Sequence, residues 1–332
     1  MKQELGQETY IGLDTHRETL YGTATDNKGE IICSYQFPNN KDALKEFLKN
    51  FKPWNTSIAI EACGTWRGCW KILRKLGYKV KLANPLKCHQ IAKDKKTDEV
   101  DSKILADLLR TNFLPEVFIP SDEILELRDL TRHKCNLTRL QVSIKNKIKM
   151  NLLREGINYK SKLWNSEGII WLKNLKDEKL DDFITQYELL EKQKRKIDKK
   201  IGQIAITKRQ TALLQTIPGI GKFGAVLIYA EIAEIKRFPD PKHLHGYSGM
   251  CPGIQQSGSK TRCTKKKEVN HWLKWIIGQC SGRSTMINCR FQKYYFKIKN
   301  KKGWKTARKA VGRKMLTVIW HVLNEETPYQ ES

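Results

Sequence analysis

The stretch TYIGLDTHRETLYGTATDNKGEIICSYQF, residues 9–37, decides the fold. TYIGLD is an apolar run that ends on the carboxylate of Asp14. TLYGTAT (19–25) and EIICSYQF (30–37) follow, parted by the turn DNKG. Runs rich in β-branched and aromatic residues, bounded by Gly, Asn and Asp, predict strands, and the short links predict a meander of three. Working outward, NKDALKEFLKNF predicts a helix capped by Asn40, and SIAIEA predicts a fourth strand running into Glu61. Thr65 stands where it can cap a helix through WRGCWKILRKLG, which Gly77 stops. YKVKLA predicts a fifth strand, and a further helix begins after Thr97.

Composition bounds the partners. The chain has 332 residues, with 62 Lys and Arg against 35 Asp and Glu, for a net charge of +27. Such an excess favours a polyanion through phosphate neutralisation and counterion release. It names a partner class and no activity, since ribosomal proteins and polybasic membrane binders share it. No apolar run approaches the roughly 20 residues of a membrane span, and MKQELGQET at the start lacks the apolar core of a signal peptide. The nine cysteines are scattered singly without a C-x-x-C pair, which predicts reduced thiols in a cytosolic protein. Cys251, Cys263 and His271 are near in sequence, but their spacing fits no zinc pattern.

From about residue 121 the strand signals vanish. Leu130, Leu137, Ile144 and Leu152 recur near heptad spacing, as do Phe183, Tyr187, Leu190, Ile197, Ile201 and Ile204. Two long helices broken around REGINYKS predict an antiparallel hairpin, either a projecting coiled coil or one side of a helical domain. Between residues 251 and 320 there are 18 Lys or Arg and one acid, Glu268, with aromatics interleaved. That mixture suits a nucleic-acid surface, although Trp272, Leu273, Ile276 and Ile277 have the spacing of a buried helix face.

The carboxylates carry the chemistry. If the first and fourth strands are parallel neighbours, Asp14 and Glu61 emerge at one sheet edge. In DEVDSKILADLLR, Asp98 and Asp101 lie three apart and share a helix face. Each alone has a plain explanation: a turn residue, or acids favouring a helix N-terminus. Glu61 is harder to dismiss, because an acid inside IAIEAC breaks an apolar strand and is costly to bury without a partner. Four converging carboxylates repel one another unless divalent cations join them, and a two-metal site suits phosphoryl transfer.

PGIGKFG (218–224) satisfies G-x-G-x-x-G, but a helical RQTALLQTI precedes it, which excludes a dinucleotide fold. A turn between two helices fits, a helix-hairpin-helix whose Gly219, Gly221 and Lys222 can meet a phosphate or simply pack. Downstream, GMCPGIQQSGSKTRCTKK places Ser257 in a polar loop beside Lys260, Arg262, Lys265 and Lys266. Those cations could hold a phosphodiester for attack by a serine hydroxyl.

YIGLDTHRE, IAIEACGTW and KKTDEVDSKILADLLR resemble the three N-terminal motifs of the IS110-family (IS110/IS1111-type) transposases. The Pro-Gly-Ile-Gly segment and the serine loop after GMCP are similar to those of the same family. The resemblance covers nearly the whole chain. It implies an α/β RNase H-like (RuvC-like) metal-binding domain over 1–120, a helical coiled-coil linker and oligomerisation region over 121–208, and a mainly α transposase domain over 209–332. It further implies Mg²⁺, with Mn²⁺ as the alternative, on Asp14, Glu61, Asp98 and Asp101. Ser257 is then the nucleophile that forms a phosphoserine link to DNA, with Ser259 as the fallback. Donor and target DNA, an element-encoded guide RNA and a homodimer or homotetramer are the implied partners, in a prokaryotic cytoplasm at the nucleoid and without a membrane. The chain departs from the family in TKKKEVNHWLKW, where Lys274 stands at a position in which relatives commonly carry Arg. Left open are a metal-dependent structure-specific nuclease that uses water, and a non-catalytic nucleic-acid-binding protein.

Overall fold

The computed structural model describes residues 8–91, 97–159, 162–251, 253–257, 260–264 and 268–331, without the side chains of 254, 255, 257 and 260–263. The chain divides into two compact units, Met1–Ile119 and Pro120–Ser332.

The first unit holds β1 (Thr9–Thr15), β2 (Thr19–Thr25), β3 (Ile31–Pro38), α1 (Lys41–Leu48), β4 (Thr56–Glu61), α2 (Trp66–Lys75), β5 (Lys79–Ala83), α3 (Pro85–Ile91), α4 (Asp98–Arg110) and β6 (Glu116–Val117). The sheet order is β3-β2-β1-β4-β5-β6. β1 is antiparallel to β2 and parallel to β4, and β5 is parallel to β4. This is the mixed RNase H-like arrangement, and the parallel pairing of the first and fourth strands is the neighbour relation that the carboxylate argument requires. Ile11, Leu13, Leu20, Ile58 and Ile60 are fully buried on one face, which fixes the register because a one-residue slip would turn each of them to the opposite face, where α4 packs against Gly12 and Ala59. Asn40 caps α1 as expected, accepting from the amides of Asp42 and Ala43. Thr65 does not cap α2; its hydroxyl bonds the Thr15 carbonyl at 2.9 Å instead. α3 and β6 are additions to the element order read from sequence.

The second unit is mainly helical: α5 (Asp122–Arg154), α6 (Ser166–Asn174), α7 (Glu178–Thr207), α8 (Arg209–Gln215), α9 (Lys222–Ile232), α10 (Pro241–Tyr247), the hairpin β7 (Gly253–Ser257) and β8 (Lys260–Thr264), α11 (His271–Ser284) and α12 (Arg290–Asn324). Leu137 packs with Ile197 and Ile201, whereas Ile144, Ile148 and Leu152 pack with Leu180, Ile184 and Tyr187. Rising numbers in α5 meet falling numbers in α7, so the two helices are antiparallel. One end of the pair shares a core with Val226 and Ala230 of α9, and the other forms its own core with Leu172 of α6. α9, nearly all buried, centres a further core with Leu273, Ile276 and Ile277 of α11 and Val311, Met315 and Ile319 of α12. Among the described residues no helix is long and apolar enough to cross a membrane.

Candidate active site

Alternation along β1 sends Ile11 and Leu13 to one face and Gly12 and Asp14 to the other. Gly12 is where α4 crosses the strand: a Cβ there would lie 1.9 Å from the Ser102 carbonyl oxygen. Ser102 is fully buried, and its hydroxyl meets that of Thr23 at 2.7 Å. This contact sets the height of α4. Asp98, Asp101, Ser102 and Leu105 have the spacing of one helical face, so docking Ser102 and Leu105 on the sheet brings both aspartates toward Asp14. Glu99 is exposed, as its position off that face predicts. Thr97 begins the helix by accepting from the amide of Val100 at 3.3 Å.

Asp14 is buried, with 6% of its surface exposed. Nε2 of His16 lies 3.2 Å from Asp14 Oδ2 and 3.2 Å from Asp98 Oδ1. These three side chains bring potential ligand atoms within 4.8 Å of one another. His16 is the residue that sequence reading missed. Burial pushes the Asp14 carboxyl up, and Asp98 and Asp101 push the same way, while His16 opposes them. Partial burial works against a charged His16, yet Asp14 and Asp98 outweigh it and raise its pKa. The imidazole thus stands where the carboxylates call for positive charge. Oxygen ligands with an imidazole suit a divalent ion, and the donor set fits one.

Glu61 is half-buried at the end of β4. It comes one residue after the last β1–β4 pair, Leu13 with Ile60, just as Asp14 does. The two strand ends are tied together: Thr15 Oγ1 lies 2.9 Å from both Cys63 Sγ and Thr65 Oγ1. Glu61 also lies near Cys88, whose thiol is pushed up to about 11 by burial and then by the Glu61 charge. Asp101 acts on Asp14 through its charge, and neither it nor Glu61 belongs to the tight Asp14–His16–Asp98 cluster.

Comparison with known proteins places this geometry. Residues 11–156, which contain all four acids, match a transposase family described as DEDD_Tnp_IS110. Residues 211–296 match the transposase family IS116/IS110/IS902. The chain belongs to the IS110 family of transposases. It is 26% identical over 351 residues to the pilin gene-inverting protein of Moraxella bovis, covering 98% of each chain. The pilin gene-inverting protein of Moraxella lacunata matches to the same extent, 26% over 351 residues and 98% of each chain. The transposase for insertion sequence element IS1328 of Yersinia enterocolitica is 22% identical over 288 residues, 82% of this chain and 83% of that one. The family makes this chain a DNA-cleaving and strand-transferring enzyme, and the Asp14, His16 and Asp98 group is a candidate divalent-metal site in its N-terminal unit.

In the transposase's second unit, PGIG turns between α8 and α9. Gly219 has φ +92°, and a Cβ there would come within 2.6 Å of the Cys280 carbonyl oxygen. Its lack of a side chain therefore serves packing against α11. Gly221 is exposed, lies at the N-cap of α9 and offers no side-chain cap, and Lys222 follows it in solvent. Ser257 is not in a loop: it is the last residue of β7, opposite Lys260 of β8. Arg262 stands opposite Gln255 in the same hairpin. The side chains of Ser257, Lys260 and Arg262, and all of Ser259, Lys265 and Lys266, lie outside the described residues.

The chain entering and leaving this hairpin is fastened to a fully buried acid, Glu231 of α9. Arg132 of α5 grips it through two bonds of 2.8 Å. Asn270 Nδ2 donates to Glu231 at 2.8 Å and meets the Tyr247 hydroxyl at 2.9 Å. The Asn270 amide donates to the Tyr247 carbonyl at 2.8 Å, and its Oδ1 caps α11 through Leu273. Arg128 satisfies the last carbonyls of α9, those of Ala230 and Glu231, at 2.8 and 3.0 Å. Burial holds its pKa below the ordinary arginine value.

Proposed function

We propose that this transposase breaks and rejoins DNA through Ser257, with Asp14, Glu61, Asp98 and Asp101 holding Mg²⁺ or Mn²⁺, under the guidance of an RNA and as a homodimer or homotetramer. The observation that carries the metal half is the convergence of Asp14 and Asp98 on one imidazole nitrogen, at the sheet edge where Glu61 also ends. When bound, the ion neutralises these acids and draws charge from a phosphate oxygen. Asp14, buried and fixed by β1, is the rigid member, and α4 presents Asp98 and Asp101 to it.

The Ser257 hydroxyl attacks phosphorus. An Oγ–P bond forms, the P–O3′ bond breaks, the serine proton passes to solvent and the leaving 3′ oxygen takes one up. A 3′-hydroxyl later attacks the phosphoserine and reverses both changes, so no nucleotide cofactor is consumed. Lys260, Arg262, Lys265 and Lys266 are close to Ser257 in sequence and supply charge for the phosphate. Gly221 and Lys222, at the open start of α9, suit a backbone phosphate, and Gly219 shapes that turn. Residues 1–120, 121–208 and 209–332 then serve as metal-binding, oligomerising and serine-bearing domains. Rejoining without net loss of DNA agrees with the activity for which the Moraxella relatives are named. The net charge of +27 suits a protein that holds RNA and DNA backbones while base pairing reads sequence.

The test is a denaturing-gel search for a protein–DNA adduct, using RNA transcribed from the element flanks, matched DNA and Mg²⁺. An adduct that vanishes in Ser257→Ala supports the reading. Nicked DNA without adduct in either protein refutes the serine step in favour of water.

A further inference from the structure

Phe291 and Ala307 of α12 are both in the core, at 2% and 0% exposure, yet no residue from 292 to 306 is buried. This segment, QKYYFKIKNKKGWKT, carries six lysines and no acid. Tyr294, Phe296 and Trp304 are 37%, 47% and 54% exposed. A helix owes most of its stability to an apolar face packed on something, yet these rings stay largely in solvent: Phe296 meets the Tyr295 ring edge-on at 5.4 Å and Lys299 Nζ at 5.6 Å, and Lys305 Nζ lies 5.6 Å from the Trp304 ring centre. Lys293, Lys297 and Lys301 recur every four residues along one face, at steps of about 6 Å. Gly303 breaks the helix with φ +77°, a conformation that L side chains rarely adopt, and no atom crowds the place of its missing Cβ. Close packing does not explain that glycine; its backbone conformation does.

We propose that residues 292–306 form an arm that grips an unpaired nucleic-acid strand, with the lysine row on its phosphates and Phe296 and Trp304 stacked on its bases. Cations alone would suit duplex DNA equally well. The exposed rings decide for a single strand, because duplex bases are already stacked on each other, whereas every unpaired base offers a face. An acidic protein surface would match the lysines but gives no account of three exposed aromatics among them. The inference rests on the nucleic-acid-binding part of the proposed function and is independent of Ser257 and of the acids of the first unit.

The experiment is fluorescence anisotropy of the full chain with labelled 20-nucleotide single-stranded DNA, the same sequence as RNA, and the DNA duplex, each across a salt series. In Lys293→Gln/Lys297→Gln/Lys301→Gln, the slope of log K against log salt on single strands falls by about 2, at ~0.7 per phosphate contact released. Phe296→Ala and Trp304→Ala each weaken single-strand binding by roughly 5- to 150-fold and leave duplex binding within about twofold. Circular dichroism of each variant matches that of the unaltered chain, since none of these residues is buried. A greater loss on DNA or on RNA identifies which strand the arm holds. Unchanged single-strand affinity and slope would overturn the proposal, as would equal losses on single strand and duplex. If the unaltered chain binds neither form, the nucleic-acid reading itself fails, and the arm with it.

Discussion

Replacing Glu231 by alanine removes the hub of the buried network in the second unit. The acid is fully buried, and its loss removes both bonds from the Arg132 guanidinium and leaves Asn270 Nδ2 with only the Tyr247 hydroxyl. Breaking a buried pair from one side costs about 3–5 kcal/mol, most of it from the charge left behind. Arg132 retains 36% exposure and can turn toward water, which places the cost near the lower end, ~3 kcal/mol. For a unit of this size, Pro120–Ser332, each kcal/mol moves the melting temperature by about 2–4 °C, so the fall is roughly 6–12 °C by calorimetry. Glu231→Gln keeps an acceptor for Asn270 but not the charge for Arg132, and should lie between. A shift of less than about 2 °C in Glu231→Ala would refute the view that this network fastens α5, α9 and the start of α11.

Three further outcomes follow from local geometry. Gly12→Ala sets a methyl 1.9 Å from a backbone oxygen of α4, so the unit should lose about 1–3 kcal/mol or more and bind Mn²⁺ more weakly as Asp98 and Asp101 are displaced; denaturant titration and metal titration check both. Hydrogen bonds from Lys194 and Gln141 lower Glu191 from 4.5 to about 2. Because its folded-state value is depressed, the stabilisation is complete above pH 4.5 and disappears as the pH falls through about 2; solvent screening reduces it to ~1–2 kcal/mol. Glu191→Gln should therefore flatten the acid limb of a stability–pH profile by that amount. His16→Gln removes the imidazole from the Asp14–His16–Asp98 donor set, and Mn²⁺ affinity should fall by about tenfold or more (~1.4 kcal/mol), whereas a change within about threefold would show that the acids alone hold the ion.

The sequence was most informative where period and chemistry coincide. An apolar strand ending on Asp14, another ending on Glu61 and a helix with acids three apart were enough to expect one sheet edge, and β1 and β4 are indeed parallel neighbours. His16 escaped because THRE reads as a turn, although two-residue alternation from Asp14 through β1 already pointed to it. Glu231 escaped for a different reason. The test applied to Glu61, an acid inside an apolar run, applies equally to VLIYAEIAEI, but a helix hides the anomaly better than a strand. α3 starts at a proline and spans seven residues, and β6 has two, too short for any periodicity. The β7–β8 hairpin is mostly polar, so GIQQS and KTRCT look like loop, and backbone pairing alone makes them strands. Thr65 shows the limit of local rules: its place in the sequence suits a helix cap, but Thr15, fifty residues away, takes its hydroxyl instead.

The central claim is that the acids around Asp14 form a metal centre, and Mn²⁺ binding followed by electron paramagnetic resonance tests it most directly. The unaltered transposase should show a saturable site that weakens by at least about tenfold (~1.4 kcal/mol) in both Asp14→Asn and Asp98→Asn. Asp14→Asn should be no less stable than the parent near neutral pH, since burial and neighbouring acids already disfavour the charge there. Mn²⁺ affinity unchanged in both variants would contradict the account and leave these carboxylates a structural role only.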